Sequence, residues 1–129
     1  MQEYLTVELP AKPESAEWAR EALREFRDRL EDDAFIDLQL VVSELIADAV
    51  RSEEKGSRPI VLRFELNDRH LRVEVRDGAA AYELRPRRPE LGERGWGVYL
   101  TRVLAHHWGS LHDDSRGSVW VEMPLAGST

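Results

Sequence analysis

Residues 60–76 read IVLRFELNDRHLRVEVR, and this stretch decides the fold. Ile60, Leu62, Phe64 and Leu66 alternate with Val61, Arg63 and Glu65. After Asn67-Asp68, Leu71, Val73 and Val75 alternate with Arg72, Glu74 and Arg76. Two runs of period two joined by a pair of turn residues predict a β-hairpin. The second run ends at Asp77-Gly78.

Upstream of the hairpin the period changes. From about Ala34 to Arg51 the apolar residues Phe35, Leu38, Val41, Val42, Leu45, Ile46, Ala49 and Val50 cover far more than one stripe of a helix. A helix apolar nearly all round is buried on several sides. Residues 52–59 (SEEKGSRP) predict a loop. Earlier, Trp18, Ala19, Ala22, Leu23, Phe26 and Leu30 predict a helix capped by Ser15 or Glu14, with a charged opposite face. Before Pro10 and Pro13, the alternation of Leu5, Val7 and Leu9 within residues 4–9 predicts a short strand.

Downstream, residues 79–94 show no period and bury little. A stretch of that length inside a small domain marks a functional or mobile loop. Gly92, Gly95 and Gly97 follow, then an amphipathic helix carrying Val98, Leu100, Thr101, Val103, Leu104 and Trp108. Strands are expected over 108–112 and 118–125, separated by the polar turn 113–117. Hairpin-joined strands with helices between them predict an α+β domain, with one mixed or mostly antiparallel sheet and helices on one face.

Composition sets the outer limits. The chain has 129 residues, the size of one domain, and 33 of them are Leu, Ile, Val or Phe, enough to build a core. There is no cysteine, which excludes disulfides, thiolate metal sites and a cysteine nucleophile. No run of apolar residues approaches a membrane span, and the first ten residues lack the pattern of a secretory signal, so a cytoplasmic location is expected. The net charge is −7, and residues 1–54 hold 15 acids against 6 bases. That balance disfavours direct binding of nucleic acid.

Three features point to chemistry. Glu44, Asp48 and Arg51 share one helix face at i, i+4 and i+7, inside an otherwise apolar segment. The row is either a surface rim or a polar wall of a cavity. In the second case Glu44 polarises a hydroxyl and Asp48 offers oxygen to a hard cation. Gly95-Trp96-Gly97 opens a helix, where glycines admit a close ligand and free amides favour an anion. Asp77-Gly78 puts a carboxylate at a strand end, suited to an exocyclic amine. His106-His107 is expected on a helix surface, where neighbours about 100° apart do not chelate together. Trp18, Trp108 and Trp120 are expected in the core.

These pieces occur in a recognisable order. LVVSELIADAVR (40–51), LRVEVRDGAA (71–80), GERGWGVYLTRVLAHHWG (92–109) and RGSVWVEM (116–123) resemble the GHKL ATP-binding family in its small form, the anti-sigma-factor serine/threonine switch kinases. The resemblance implies a Bergerat-type two-layer sandwich spanning 1–129, with 79–94 as the ATP lid. It implies ATP and Mg²⁺ as ligands, with Glu44 as general base and Asp48 as metal ligand. Asp77 and Gly78 would form the adenine box. Gly95, Trp96 and Gly97 would form the phosphate-binding helix start, with Arg94 on the terminal phosphate and Arg51 and Ser118 completing the site. As partners it implies a sigma factor, an anti-anti-sigma (antagonist) protein and a second copy of the chain. The chain departs from the family at Asp48, where Asn is usual. A non-catalytic partner-binding module of the same fold, with weak or no ATP binding, therefore stands beside the kinase as the alternative.

Overall fold

The computed structural model describes residues 3–52, 59–76, 100–101, 103–112 and 117–127, with 51, 52, 111 and 112 as backbone only. Among the described residues, five strands form one sheet: β1 (Glu3–Leu9), β2 (Ile60–Leu66), β3 (His70–Arg76), β4 (His107–His112) and β5 (Gly117–Pro124). Their order is β1-β2-β3-β5-β4. Every one of these pairings is antiparallel, so the mostly antiparallel sheet expected from the sequence takes its fully antiparallel form.

The alternation in residues 60–76 sets the two faces of the sheet. Leu62, Phe64, Leu66, Leu71, Val73, Val75, Val119, Val121 and Met123 are buried and form one side of the core. The opposite side carries Arg63 across from Glu74 and Glu65 across from Arg72, opposite charges on neighbouring strands. The hairpin turn is an Asx turn: the Asn67 side-chain oxygen accepts from the backbone N–H of Arg69 and of His70, both at 2.8 Å.

Among the described residues, two long helices lie over the apolar face. α1 (Ser15–Leu23) packs on α2 (Asp32–Ser52) and against β1, and α2 lies over β2, β3 and β5. The helix expected as far as Leu30 is α-helical only to Leu23 and tightens to a 3-10 turn over Arg24–Arg29. Three residues per turn put Leu23 and Phe26 on one side, where both are buried before the chain reverses into α2. At its start α1 has no side-chain cap; Glu14 occupies the cap position, and the buried Ser15 hydroxyl instead donates to the Pro10 carbonyl. Trp18 is 44% exposed, contrary to the core position expected for it, because Ala19 and Leu23 take the inward face. Trp120 lies on the solvent side of the sheet with the Arg72 guanidinium 4.1 Å from its ring, while Trp108 packs against the core.

The direction of α2 follows from its anchors. Ala126 N–H donates to the Arg29 carbonyl at 2.8 Å, and Leu125 N–H to the Arg69 carbonyl at 2.9 Å. The α1–α2 junction therefore stands at the end of the sheet where the β2–β3 turn lies. α2 then runs back toward the end where β1 and β3 finish and β2 and β5 begin.

Among the described residues, Leu100, Thr101, Val103 and Leu104 are helical, and Ala105 N–H donates to the Thr101 carbonyl at 3.0 Å. The helix stops there. His106 N–H already donates to the Glu122 carbonyl at 3.2 Å, and His107 opens β4. The helix-surface position expected for His106-His107 is thus corrected: pairing with β5 wins over helix continuation. No helix among the described residues is long and apolar enough to cross a membrane.

Candidate functional site

The second half of α2 carries the polar row read from the sequence. Leu38, Val41, Val42, Leu45, Ile46 and Ala49 are fully buried around it. Glu44 is half-buried, and Asp48, one turn further on, is 0% exposed. Asp48 is therefore no part of a surface rim. Burying a carboxylate costs several kcal/mol unless partners or a bound cation compensate it. Asp48 also lies near the C-terminal end of α2, the negative pole of the helix dipole, which favours a cation there. Arg51 is in the last turn of the helix and is described as backbone only.

Below that end of α2 stand the last residue of β3 and the first residues of β5. Arg76 pairs with Ser118. Ser118 is 3% exposed, and among the described residues its hydroxyl has no hydrogen-bond partner. A buried hydroxyl left in that state costs about 1–3 kcal/mol, so it marks a place where a polar group is wanted. Asp77 is the next residue in the chain after Arg76. Asp77, Gly78, the 79–94 stretch, Arg94, Gly95, Trp96 and Gly97 lie outside the described residues, as do loop residues 53–58 and turn residues 113–116.

The structure thus places Asp48 and Ser118 on different sides of the sheet: Val75 and Val119 face the helices, so the side chain of Ser118, paired with Arg76, points away from α2, and Asp48 keeps Glu44, one turn away, as its neighbour in the row. A buried carboxylate oxygen near a helix C-terminus suits a hard divalent cation. One buried polar residue escaped notice in the sequence. Thr101 is fully buried, in the helical segment after the glycines. Its signal was a hydroxyl standing within an apolar stripe.

Comparisons with known proteins agree with this architecture. Residues 9–123 match the family described as histidine kinase-like ATPase domain. The chain is 31% identical over 96 residues to the serine-protein kinase RsbW of Listeria innocua serovar 6a, covering 71% of this chain and 61% of the relative. The corresponding RsbW of Listeria monocytogenes serovar 1/2a matches at the same 31% identity over 96 residues. The chain thus aligns with somewhat less than two thirds of the length of these curated relatives. Among solved structures, the RsbU and RsbW domains of Rv1364c from Mycobacterium tuberculosis superpose with a TM-score of 0.74 at 20% identity. That superposition covers 95% of this chain and 32% of the other, and it speaks to the fold.

Proposed function

The chain belongs to the histidine kinase-like ATPase domain family, and from that premise we propose that it is an Mg·ATP-binding regulatory serine/threonine protein kinase of the anti-sigma type. On this reading it phosphorylates an antagonist protein and holds a sigma factor, as a single domain over 1–129 that pairs with a second copy. The observation that supports it is the fully buried carboxylate of Asp48 near the C-terminal end of α2, on the face shared with Glu44.

When bound, ATP supplies the phosphoryl group, and its Mg²⁺ offsets the charge of the phosphates. The chain's own residues position and activate. Asp48 gives the metal a hard oxygen ligand. Glu44, half-buried beside the site, accepts the proton of the incoming Ser or Thr hydroxyl as that oxygen attacks. By the family resemblance, Asp77 would accept a hydrogen bond from the adenine amine, and Gly78 would leave room for the ring. By the same resemblance, the amides of Gly95-Trp96-Gly97 would hold the phosphates, Arg94 would meet the terminal phosphate, and 79–94 would serve as the lid. Arg51 adds positive charge at the end of α2.

One observation favours a second reading. Asp48 replaces the amide usual in the family with a buried negative charge, and that charge repels a triphosphate. A partner-binding module without phosphotransfer follows if the metal does not offset it. Calorimetry with Mg·ATP, followed by transfer from γ-labelled ATP to an antagonist protein, separates the two. Binding with transfer supports the kinase. Absence of binding tighter than the millimolar range refutes it and leaves the module.

A further inference from the structure

Three of the four histidines of the chain meet on the solvent face of the sheet, away from the α2 site. His70 opens β3, and His107 opens β4 with His106 just before it. Strand order places β5 between them. Ring centroids stand 5.8 Å apart for His70–His106, 5.9 Å for His70–His107 and 4.4 Å for His106–His107. One ring nitrogen from each lies within 4.8 Å of the others. The faces follow from the ladder: Leu71 and Trp108 turn toward the core, so His70 and His107 turn away from it.

We propose that His70, His106 and His107 form a binding site for one borderline first-row divalent cation, of the Zn²⁺ class, on the face of the sheet opposite the helices. Three neutral imidazoles select Zn²⁺, Cu²⁺ or Ni²⁺ over Mg²⁺ and Ca²⁺, which prefer oxygen. The site is therefore chemically distinct from the nucleotide metal and does not depend on the proposed kinase activity. Metal–nitrogen bonds of about 2.0–2.1 Å in a tetrahedral site put the nitrogens about 3.3 Å apart. The cluster must close by at most about 1.5 Å from its present spread, a movement within the reach of side-chain rotation at the exposed His106 and His107.

The backbones behind the three rings are pinned. His70 N–H is held by the Asn67 side chain at 2.8 Å, His106 N–H by the Glu122 carbonyl at 3.2 Å, and His107 pairs with Glu122 in the ladder. The site also has an orienting carboxylate: Glu122 Oε1 lies 3.5 Å from His107 Nδ1. A carboxylate facing Nδ1 fixes the tautomer that leaves Nε2 for the metal, the arrangement found behind most metal-bound histidines. The fourth position stays open to water. A bound ion ties the start of β4 to the start of β3 across β5, and so anchors to the sheet the segment that arrives from residues 77–105.

The test uses untagged, metal-free protein titrated with Zn²⁺ against a chelator, and with Co²⁺ followed by its visible absorption. One ion per chain at micromolar affinity or tighter is expected, with a four-coordinate Co²⁺ spectrum and no competition from Mg²⁺. His70→Ala, His106→Ala and His107→Ala should each weaken Zn²⁺ binding at least about tenfold, and Glu122→Gln about tenfold. His112→Ala, at the fourth histidine, should leave it unchanged. His106 and His107 are exposed, so their variants keep the metal-free melting temperature and remain informative even if His70→Ala misfolds. Binding no tighter than that of a lone imidazole overturns the proposal. So does affinity that survives loss of His70 in a folded variant, or of His107.

Discussion

Replacing Asp48 with Asn keeps a side-chain oxygen in place and removes one negative charge. Burial decides how much that charge matters. Two unit charges about 5 Å apart interact by about 3 kcal/mol at an effective dielectric of about 20, and by less than about 1 kcal/mol in bulk water. Asp48 is 0% exposed, so the first value applies as the upper bound. Mg²⁺ between the carboxylate and the phosphates offsets part of it. The expected result is Mg·ATP affinity that is preserved or improved by up to about 1–2 kcal/mol, roughly 5- to 30-fold. Because the effect is repulsion by phosphate, the gain should be smaller for Mg·ADP. Asp48→Ala, which removes the oxygen as well, should lose affinity. Isothermal calorimetry at fixed ionic strength reads all three. A loss of more than about tenfold in Asp48→Asn would show that the ionised carboxylate is itself required, and the repulsion argument would fail.

Three further outcomes follow from the geometry. Glu44→Ala should abolish phosphoryl transfer to the antagonist protein while leaving the calorimetric Mg·ATP affinity unchanged; transfer at the wild-type rate would remove Glu44 from the role of base. Ser118→Ala deletes a buried hydroxyl that has no partner among the described residues, so the ligand-free protein should be as stable or more stable in urea. A loss of more than about 1 kcal/mol of stability would show instead that the hydroxyl is well satisfied in the folded protein. Gly109→Ala would put a Cβ 2.6–2.7 Å from three atoms of the Trp120 indole, on which Arg72 stacks. Moving that ring should cost about 1–3 kcal/mol and lower the melting midpoint by roughly 3–12 °C, whereas an unchanged midpoint would show that the indole swings away freely.

Much of the fold was legible in the chain because the decisive patterns are local. Ile60 to Arg76 alternates, turns at Asn67 and alternates again, and the backbone follows it residue by residue. The continuous apolar coat of residues 34–51 becomes a helix pressed on three strands. Asp48 was legible as an oddity, a carboxylate where its neighbours are apolar, but its i, i+4 spacing to Glu44 fits a wet rim as well as a dry wall. Helix ends were the weakest part. The periodic run through Leu104 gave no reason to stop before His106, since the competing partner, β5, lies further along the chain.

By itself, then, the sequence determined the strands, the helices, the buried faces and the odd carboxylate within one of them, since each is a matter of period and side-chain type within a few residues. Tertiary structure decided that α2 lies over β2, β3 and β5, which buries Asp48 completely. It decided that Trp18 stays in solvent, and that β5 inserts between β3 and β4 so that His70 meets His106 and His107. Which surface covers a given face depends on residues tens of positions away, and no local period encodes that choice.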